Sequence, residues 1–361
     1  MEKGRTGESV DVAVIGAGIF GLSCAYAAVR AGLSVCLLEA ERPGAGASGG
    51  IVGALSPHLP LGWNEKKQVQ LDSLASAEDF WAEIEAVGGA SAGYGRIGRY
   101  LPIGSETERA KMQAQVEGAR ENWRGRFCWD LVEASRLPDW LDPMSCPFGA
   151  VRETLSARLH PRRAVDALVA ALHGSGAELR HPAPVRAVAS GRVELDSGAM
   201  SADAIVLAAG TGGEALAPGT LGRGVKGQAA LLAPRAAPDA MVFADGVYIV
   251  PHAHGTVAVG STSEKVFDDP CGTDGQLDDV IARAARIVPA LADAEVLERW
   301  AGVRPRGPKP DPVVGPLPGQ PGLYLANGGF KTGFGFAPVV GNAMVEMMAG
   351  RSHGLPERFL P

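Results

Sequence analysis

Hydrophobic residues recur along this chain with two periods, and their alternation sets out a series of elements. Val10–Ile15 is a short β-branched run, Ile19–Ala31 suits a helix, and Ser34–Glu39 is a second apolar run that ends in an acid. A loop rich in Gly, Ala and Ser follows over Gly44–Gly53. Helical spacing returns over Val69–Val87, with Leu71, Leu74, Phe80, Trp81 and Ile84 along one side, and a more charged helix fits Glu106–Asn122. Arg162–His173 reads as an amphipathic helix. Short strands are expected at Val185–Val188 and Val193–Leu195, and a buried one at Ala204–Ala208 that runs into Ala209–Gly210. From Val225 to Ser261 the pattern is of antiparallel strands, with Tyr248–Val250 and Val257–Val259 joined by a turn at His252–Gly255. A helix over Asp274–Val288, strands at Val296–Val303 and Gly322–Ala326, and a last helix over Ala337–Met348 complete the series.

Mixed β and α units at both ends with antiparallel strands between them imply an α/β nucleotide-binding domain interrupted by a second domain. Gly16-Ala17-Gly18-Ile19-Phe20-Gly21 is a GxGxxG hexad between a predicted strand and a predicted helix. The first glycine permits the tight turn, the second lets backbone approach a pyrophosphate, and the third lets helix and strand pack closely. Free N–H groups at the helix start then receive the phosphates. Glu39 ends the second strand, where an acid accepts hydrogen bonds from the adenosine ribose. The hexad alone does not separate NAD from FAD. The loop Ala47-Ser48-Gly49-Gly50 offers small residues and a hydroxyl where a longer cofactor would continue, and read by itself it is equally a surface loop.

Composition narrows the class further. The chain has 361 residues, 46% hydrophobic and 20% charged, enough to bury a core, and a net charge of −6 that argues against a nucleic-acid partner. The arginines Arg152, Arg158, Arg162 and Arg163 read as a solvated basic face. Five cysteines without a CxxC suit neither a disulfide framework nor a zinc site, and Cys24 and Cys36 read as small core residues. The uncharged stretch Val12–Val29 holds Gly16, Gly18 and Gly21, so it reads as a buried strand and helix, with no membrane span or signal peptide. A cytoplasmic protein is expected, without a metal and with a homo-oligomer possible.

Taken in order, these motifs resemble the D-amino-acid-oxidase-type FAD-dependent oxidoreductases, and among them bacterial glycine oxidases. The resemblance runs from Asp11–Glu39 and Gly46-Ala47-Ser48-Gly49 through Ala183-Pro184-Val185 and Ile205–Gly210 to Val225-Lys226-Gly227-Gln228. It continues with Tyr248-Ile249-Val250-Pro251, Trp300–Pro305, Gly328–Gly333 and Ala337-Pro338. It implies a Rossmann-type FAD-binding domain (1–90, 147–217 and 306–361) interrupted by an α+β substrate domain with a mixed or antiparallel sheet (91–146 and 218–305). It also implies that Gly16, Gly18, Ile19, Phe20, Gly21, Glu39, Ala47, Ser48 and Gly49 hold FAD. Val185 would take the adenine edge, Ala209 and Gly210 would complete the cofactor wall, and Gly329, Phe330, Lys331 and Thr332 would lie along the flavin. Arg304 and Tyr248 would bind a substrate carboxylate, with Lys331 at the reacting end. The rival reading of Arg304 is a structural salt bridge at a strand end.

The activity so implied is hydride transfer from the α-carbon of a glycine-like or N-alkyl amino acid to FAD, with imine hydrolysis and reoxidation by dioxygen. Three departures from the pattern matter. Arg304–Gly315 lacks the cysteine that attaches FAD in sarcosine oxidases, so FAD is expected to be non-covalent. Ala258 stands where those enzymes carry a lysine for dioxygen. Gly329 and Lys331 stand where glycine oxidases carry histidine and arginine. No general base is required; His58 is the best placed histidine, and His252 and His254 read as solvated turn residues. Two alternatives stay open: oxidation of the carboxymethylaminomethyl group of wobble uridine in tRNA, and a non-catalytic flavin-binding protein.

Overall fold

The computed structural model describes residues 9–220 and 222–361. The glycine turn is the centre of the first sheet. Ser9–Ile15 pairs in parallel with Val35–Leu38 on one side and with Gly198–Leu207 on the other; Leu323–Asn327 and Glu178–Arg180 extend the sheet outward, also in parallel. Val313–Pro316 closes one edge antiparallel, and a hairpin of Val185–Ala189 and Arg192–Leu195 branches from Gly198–Leu207. The predicted strand at Ala204–Ala208 therefore begins earlier, because its polar first half pairs with that hairpin.

Every residue of the Ile19–Arg30 helix from Ile19 to Ala28 is buried. A helix apolar on all sides must be covered on all sides. Gly333–Met348 and Pro161–Gly174 pack against it, and Glu65–Gly88 packs against both of these. Glu65–Gly88 starts before its apolar stripe because Asn64 caps it, accepting a hydrogen bond from the Lys67 N–H. Cys24 and Cys36 are core residues, as expected.

The second sheet has eight strands in the order Glu295–Pro305, Gly224–Ala233, Val257–Gly260, Val247–Pro251, Met241–Ala244, Arg99–Pro102, Ala150–Glu153 and Trp129–Val132. All neighbours are antiparallel except Met241–Ala244 with Arg99–Pro102. The Gly275–Ile287 helix covers it through Leu277, Val280, Ala284 and Ile287. Ala150–Glu153 lies in this sheet although residues 147–217 were expected in the cofactor domain. It is drawn there by pairing with Arg99–Pro102, a strand too short and polar to stand out in the sequence. Among the described residues no helix is long and apolar enough to cross a membrane.

Candidate active site

A cavity of about 920 Å³ runs from the first sheet's glycine turn to the second sheet's face. Gly16 has a φ of 100°, and a Cβ on it would lie 2.6 Å from the Ala208 carbonyl oxygen. A Cβ on Gly21 would collide with the Gly16 carbonyl, so helix and strand meet at a distance only glycine allows. Gly21 and Gly49 do not line the cavity, contrary to their expected contact with cofactor; each makes room behind the wall, Gly49 against the Gly44 carbonyl. Gly16, Gly18, Ile19, Phe20, Ala47 and Ser48 do line it. Val185, Ala209 and Gly210 line it as well.

Two side chains hold this turn. Glu39 accepts the Ala17 N–H at 2.8 Å and the Glu41 N–H at 2.9 Å, one on each carboxylate oxygen. Ser48 accepts the Ile19 N–H at 2.9 Å, so it caps a helix whose own cap position, Gly18, has no side chain to do so. The Ser48 hydroxyl hydrogen is then free to face the cavity. The cradle, the acid at the strand end and the cavity size fit an FAD molecule.

The opposite end is built by strands of the second sheet and the start of the last helix. Arg304 lies near the end of Glu295–Pro305, opposite Val225. Its Nη2 donates to the Thr262 and Lys226 carbonyls at 2.7 and 3.1 Å, Nη1 to Ser261 Oγ at 2.9 Å, and Nε to the Val225 carbonyl at 3.5 Å. All four acceptors are neutral, and among the described residues Arg304 makes no ion pair. The expected alternative of a structural salt bridge is thus not what the side chain forms. Burial pushes its pKa down to about 10, against the pull of Glu264, which is itself occupied by Lys226. Four bonds leave one Nη1 hydrogen of the guanidinium's five.

Tyr248 lines the cavity with its ring against Phe243, at 4.5 Å between centroids, and its hydroxyl accepts a hydrogen bond from Arg99 Nη1 at 3.0 Å. Tyr248 is paired directly opposite Gly260, the residue before Ser261. One ladder therefore brings Tyr248 and the Arg304–Ser261 pair together. Ser261, which lines the cavity, and Arg99 were not predicted; neither stands in a motif, and only the strand pairing reveals them.

Gly329, Phe330, Lys331 and Thr332 all line the cavity. Phe330 has a φ of 47°, a costly conformation for a side chain of that size, and its ring centre lies 5.6 Å from Arg304 Cζ and 5.7 Å from Lys331 Nζ. Lys331 is exposed, and desolvation followed by the Arg304 charge lowers its pKa. A Cβ on Gly329 would lie 3.0 Å from the Phe20 ring, so Phe20 occupies space that a histidine at 329 would need. The last helix opens at Gly333, four residues before the apolar run that starts at Ala337, and Gly333, Phe334 and Gly335 of its first turn line the cavity.

No histidine lines the cavity among the described residues. His58 is held away by Gln70, which accepts its backbone N–H at 2.8 Å. His252, expected to be solvated, is 4% exposed, with Nε2 at 3.1 Å from the Ile51 carbonyl and its ring 4.6 Å from that of His160. Its tight turn points the side chain inward, where it secures the loop after Gly50; His254 is exposed. The arginine cluster is likewise not a solvated face. Arg158 donates to the Pro251 carbonyl, and Arg162 donates to the Gly49 carbonyl at 2.8 Å while pairing with Glu298, so only Arg163 is exposed. These arginines fasten the cavity loops to the second sheet.

Comparison with known proteins agrees with this architecture. A glycine oxidase of Pseudomonas aeruginosa is 32% identical over 94% of this chain and 95% of its own. The crystal structure of glycine oxidase from Geobacillus kaustophilus superposes with a TM-score of 0.86 at 23% identity, covering 98% of each chain, which shows the fold. A bifunctional protein of tRNA 5-methylaminomethyl-2-thiouridine biosynthesis from Thiobacillus denitrificans is 30% identical over 94% of this chain, which spans 56% of that protein. The family model of the FAD-dependent oxidoreductases, DAO, matches residues 11–347, and the chain belongs to that family.

Proposed function

We propose that this protein oxidises a glycine-like or N-alkyl amino acid, anchoring the substrate by its carboxylate. The observation that carries this reading is Arg304, a guanidinium in the cavity wall without an ion-pair partner among the described residues. A buried charge is retained at a cost unless something pairs with it, and a substrate carboxylate is the matching anion. The remaining Nη1 hydrogen of Arg304 and the Tyr248 hydroxyl form the anchor, and together they fix which face of the α-carbon looks along the cavity.

FAD, when bound, supplies the hydride acceptor. The chain supplies position and exclusion. Among the described residues the carboxylates lining the cavity are Glu39 and Glu41, both at the glycine turn, so no acid or histidine stands by the anchor to take a proton. The amine therefore enters neutral, and the imine product is hydrolysed by water. Free N–H groups at the Gly333 helix start favour negative charge in the region they face. Among the described residues no cysteine lines the cavity, which supports non-covalent FAD. Dioxygen is the proposed final acceptor, giving hydrogen peroxide.

The test is anaerobic mixing of the yellow protein with amino acids, N-alkyl glycines and the same amines without their carboxylate. Bleaching of the flavin by the carboxylate-bearing amines alone supports the reading; equal bleaching by both groups overturns it. Bleaching by none of the amines favours a non-catalytic flavin protein. Admitting air should restore the colour with release of hydrogen peroxide. The 30% identical tRNA-modification relative favours a second reading, in which the anchored group is an N-substituted glycine on a nucleoside; the net charge of −6 weighs against RNA.

A further inference from the structure

Tyr248 is tied to a buried ionic cluster that the reaction itself does not touch. Arg99 is 3% exposed and does not line the cavity. It sits directly across the ladder from Glu153, with Nε 3.0 Å from a Glu153 oxygen. Glu153 is fully buried and, beside this ion pair, takes three hydrogen bonds: from the Leu155 N–H at 2.8 Å, the Ser156 N–H at 3.0 Å and the Ser156 hydroxyl. Its orientation is therefore fixed, and so is that of the arginine on it. The guanidinium also stands 6.0 Å from the ring centres of both Phe243 and Tyr248.

A guanidinium can only donate. In the 3.0 Å bond between Arg99 Nη1 and the Tyr248 hydroxyl, the phenol oxygen must accept. The phenolic hydrogen is thereby turned away from Arg99, and no other acceptor for it is found among the described residues. The open direction is the cavity. This matters because Arg304 has one hydrogen to give a carboxylate, so the second contact depends on where the Tyr248 hydrogen points. We propose that Arg99 is a positioning residue that makes Tyr248 an obligate donor to the substrate carboxylate. The inference rests on the reading of Arg304 and Tyr248 given above. A buried ion pair is by itself weak support for stability, and a directing role gives this one a use.

The test is a double-mutant cycle on the FAD-loaded full chain, read as the amino-acid dissociation constant and the limiting rate in anaerobic flavin reduction. Arg99→Lys keeps a cation beside Glu153 but not the reach to Tyr248. It should weaken amino-acid binding about tenfold with Tyr248 present and less than about twofold in the Tyr248→Phe background, with the limiting rate little changed in both. Spectral titration with an inert carboxylate should show the same split. Equal weakening in the two backgrounds overturns the proposal and leaves the carboxylate reading standing. If Tyr248→Phe alone changes nothing, the proposal falls together with the Tyr248 half of the anchor, while the Arg304 half stands. Should Arg99→Lys fail to retain FAD, the pair Arg99→Gln with Glu153→Gln, which leaves no unmatched buried charge, carries the same cycle.

Discussion

The guanidinium of Arg304 occupies the space that a side chain on residue 227 would fill. A Cβ built on Gly227 falls inside van der Waals contact with Nη2, Cζ and Nε of that arginine. The two residues lie in paired strands, Val225 being opposite Arg304 and Gly227 opposite Gly302, so the arginine folds back across its neighbour onto the bare backbone. Gly227→Ala should push a guanidinium held by four acceptors off its site. The expected result is roughly tenfold weaker amino-acid binding, with FAD content near wild type and a smaller change in the limiting rate. Anaerobic flavin reduction over a range of substrate concentrations measures both.

Arg304→Gln separates amines that carry a carboxylate from those that do not. Removing one member of a desolvated charge pair costs about 2–5 kcal/mol, so reduction by an amino acid at low concentration should slow at least about thirtyfold. An amine without a carboxylate should lose little. Equal loss on both, with a lowered melting temperature, would assign the arginine to the Thr262 and Lys226 carbonyls and remove the anchor.

Glu39→Gln probes the other end of the cavity. Its carboxylate already holds the Ala17 and Glu41 N–H groups, so the variant loses charge in the glycine turn as well as at the proposed ribose contact. Charge-assisted hydrogen bonds contribute about 1.5–3 kcal/mol, and FAD should bind roughly tenfold or more weakly. Preference among amines should not change. Fluorescence titration of the apoprotein with FAD gives the first quantity and the anaerobic screen the second.

The cofactor half of the site could be read from sequence because its constraints are local: a strand, three glycines, a helix and an acid lie within thirty or so residues and each has a mechanical reason. Even there the motif did not tell contact from support, since Gly21 and Gly49 serve by making room. Arg304 and Tyr248 came from a resemblance, and no local pattern would have joined positions on different strands. Ser261, Arg99 and Gly227 could not be found that way at all, because their roles arise from pairings such as Tyr248 with Gly260 and Arg99 with Glu153. The same cause misplaced His252. A polar residue in a hairpin turn looks solvated until a carbonyl 201 positions away is brought onto its ring.

His252 gives a pH dependence whose sign is fixed by its surroundings. Burial first, and then the neighbouring His160, hold its pKa at about 3, below the ordinary 6.5 it regains on unfolding; Arg158 and His254 act in the same direction, while the bond to Ile51 opposes. The native state thus favours the neutral ring, and its contribution to stability is fully present above about 6.5. It is lost progressively as pH falls toward 3, because the unfolded chain binds the proton first. Since Nε2 rests on the Ile51 carbonyl, and Ile51 lines the cavity, the loss should also be felt as weaker FAD retention. His252→Gln keeps an N–H donor for that carbonyl and removes the titration. Melting temperature and bound FAD measured from pH 7 to pH 4 should therefore fall more steeply in wild type than in this variant. Parallel curves for the two proteins would place the acid sensitivity elsewhere, with His58 and His160, whose pKa values burial also lowers, as the next residues to replace.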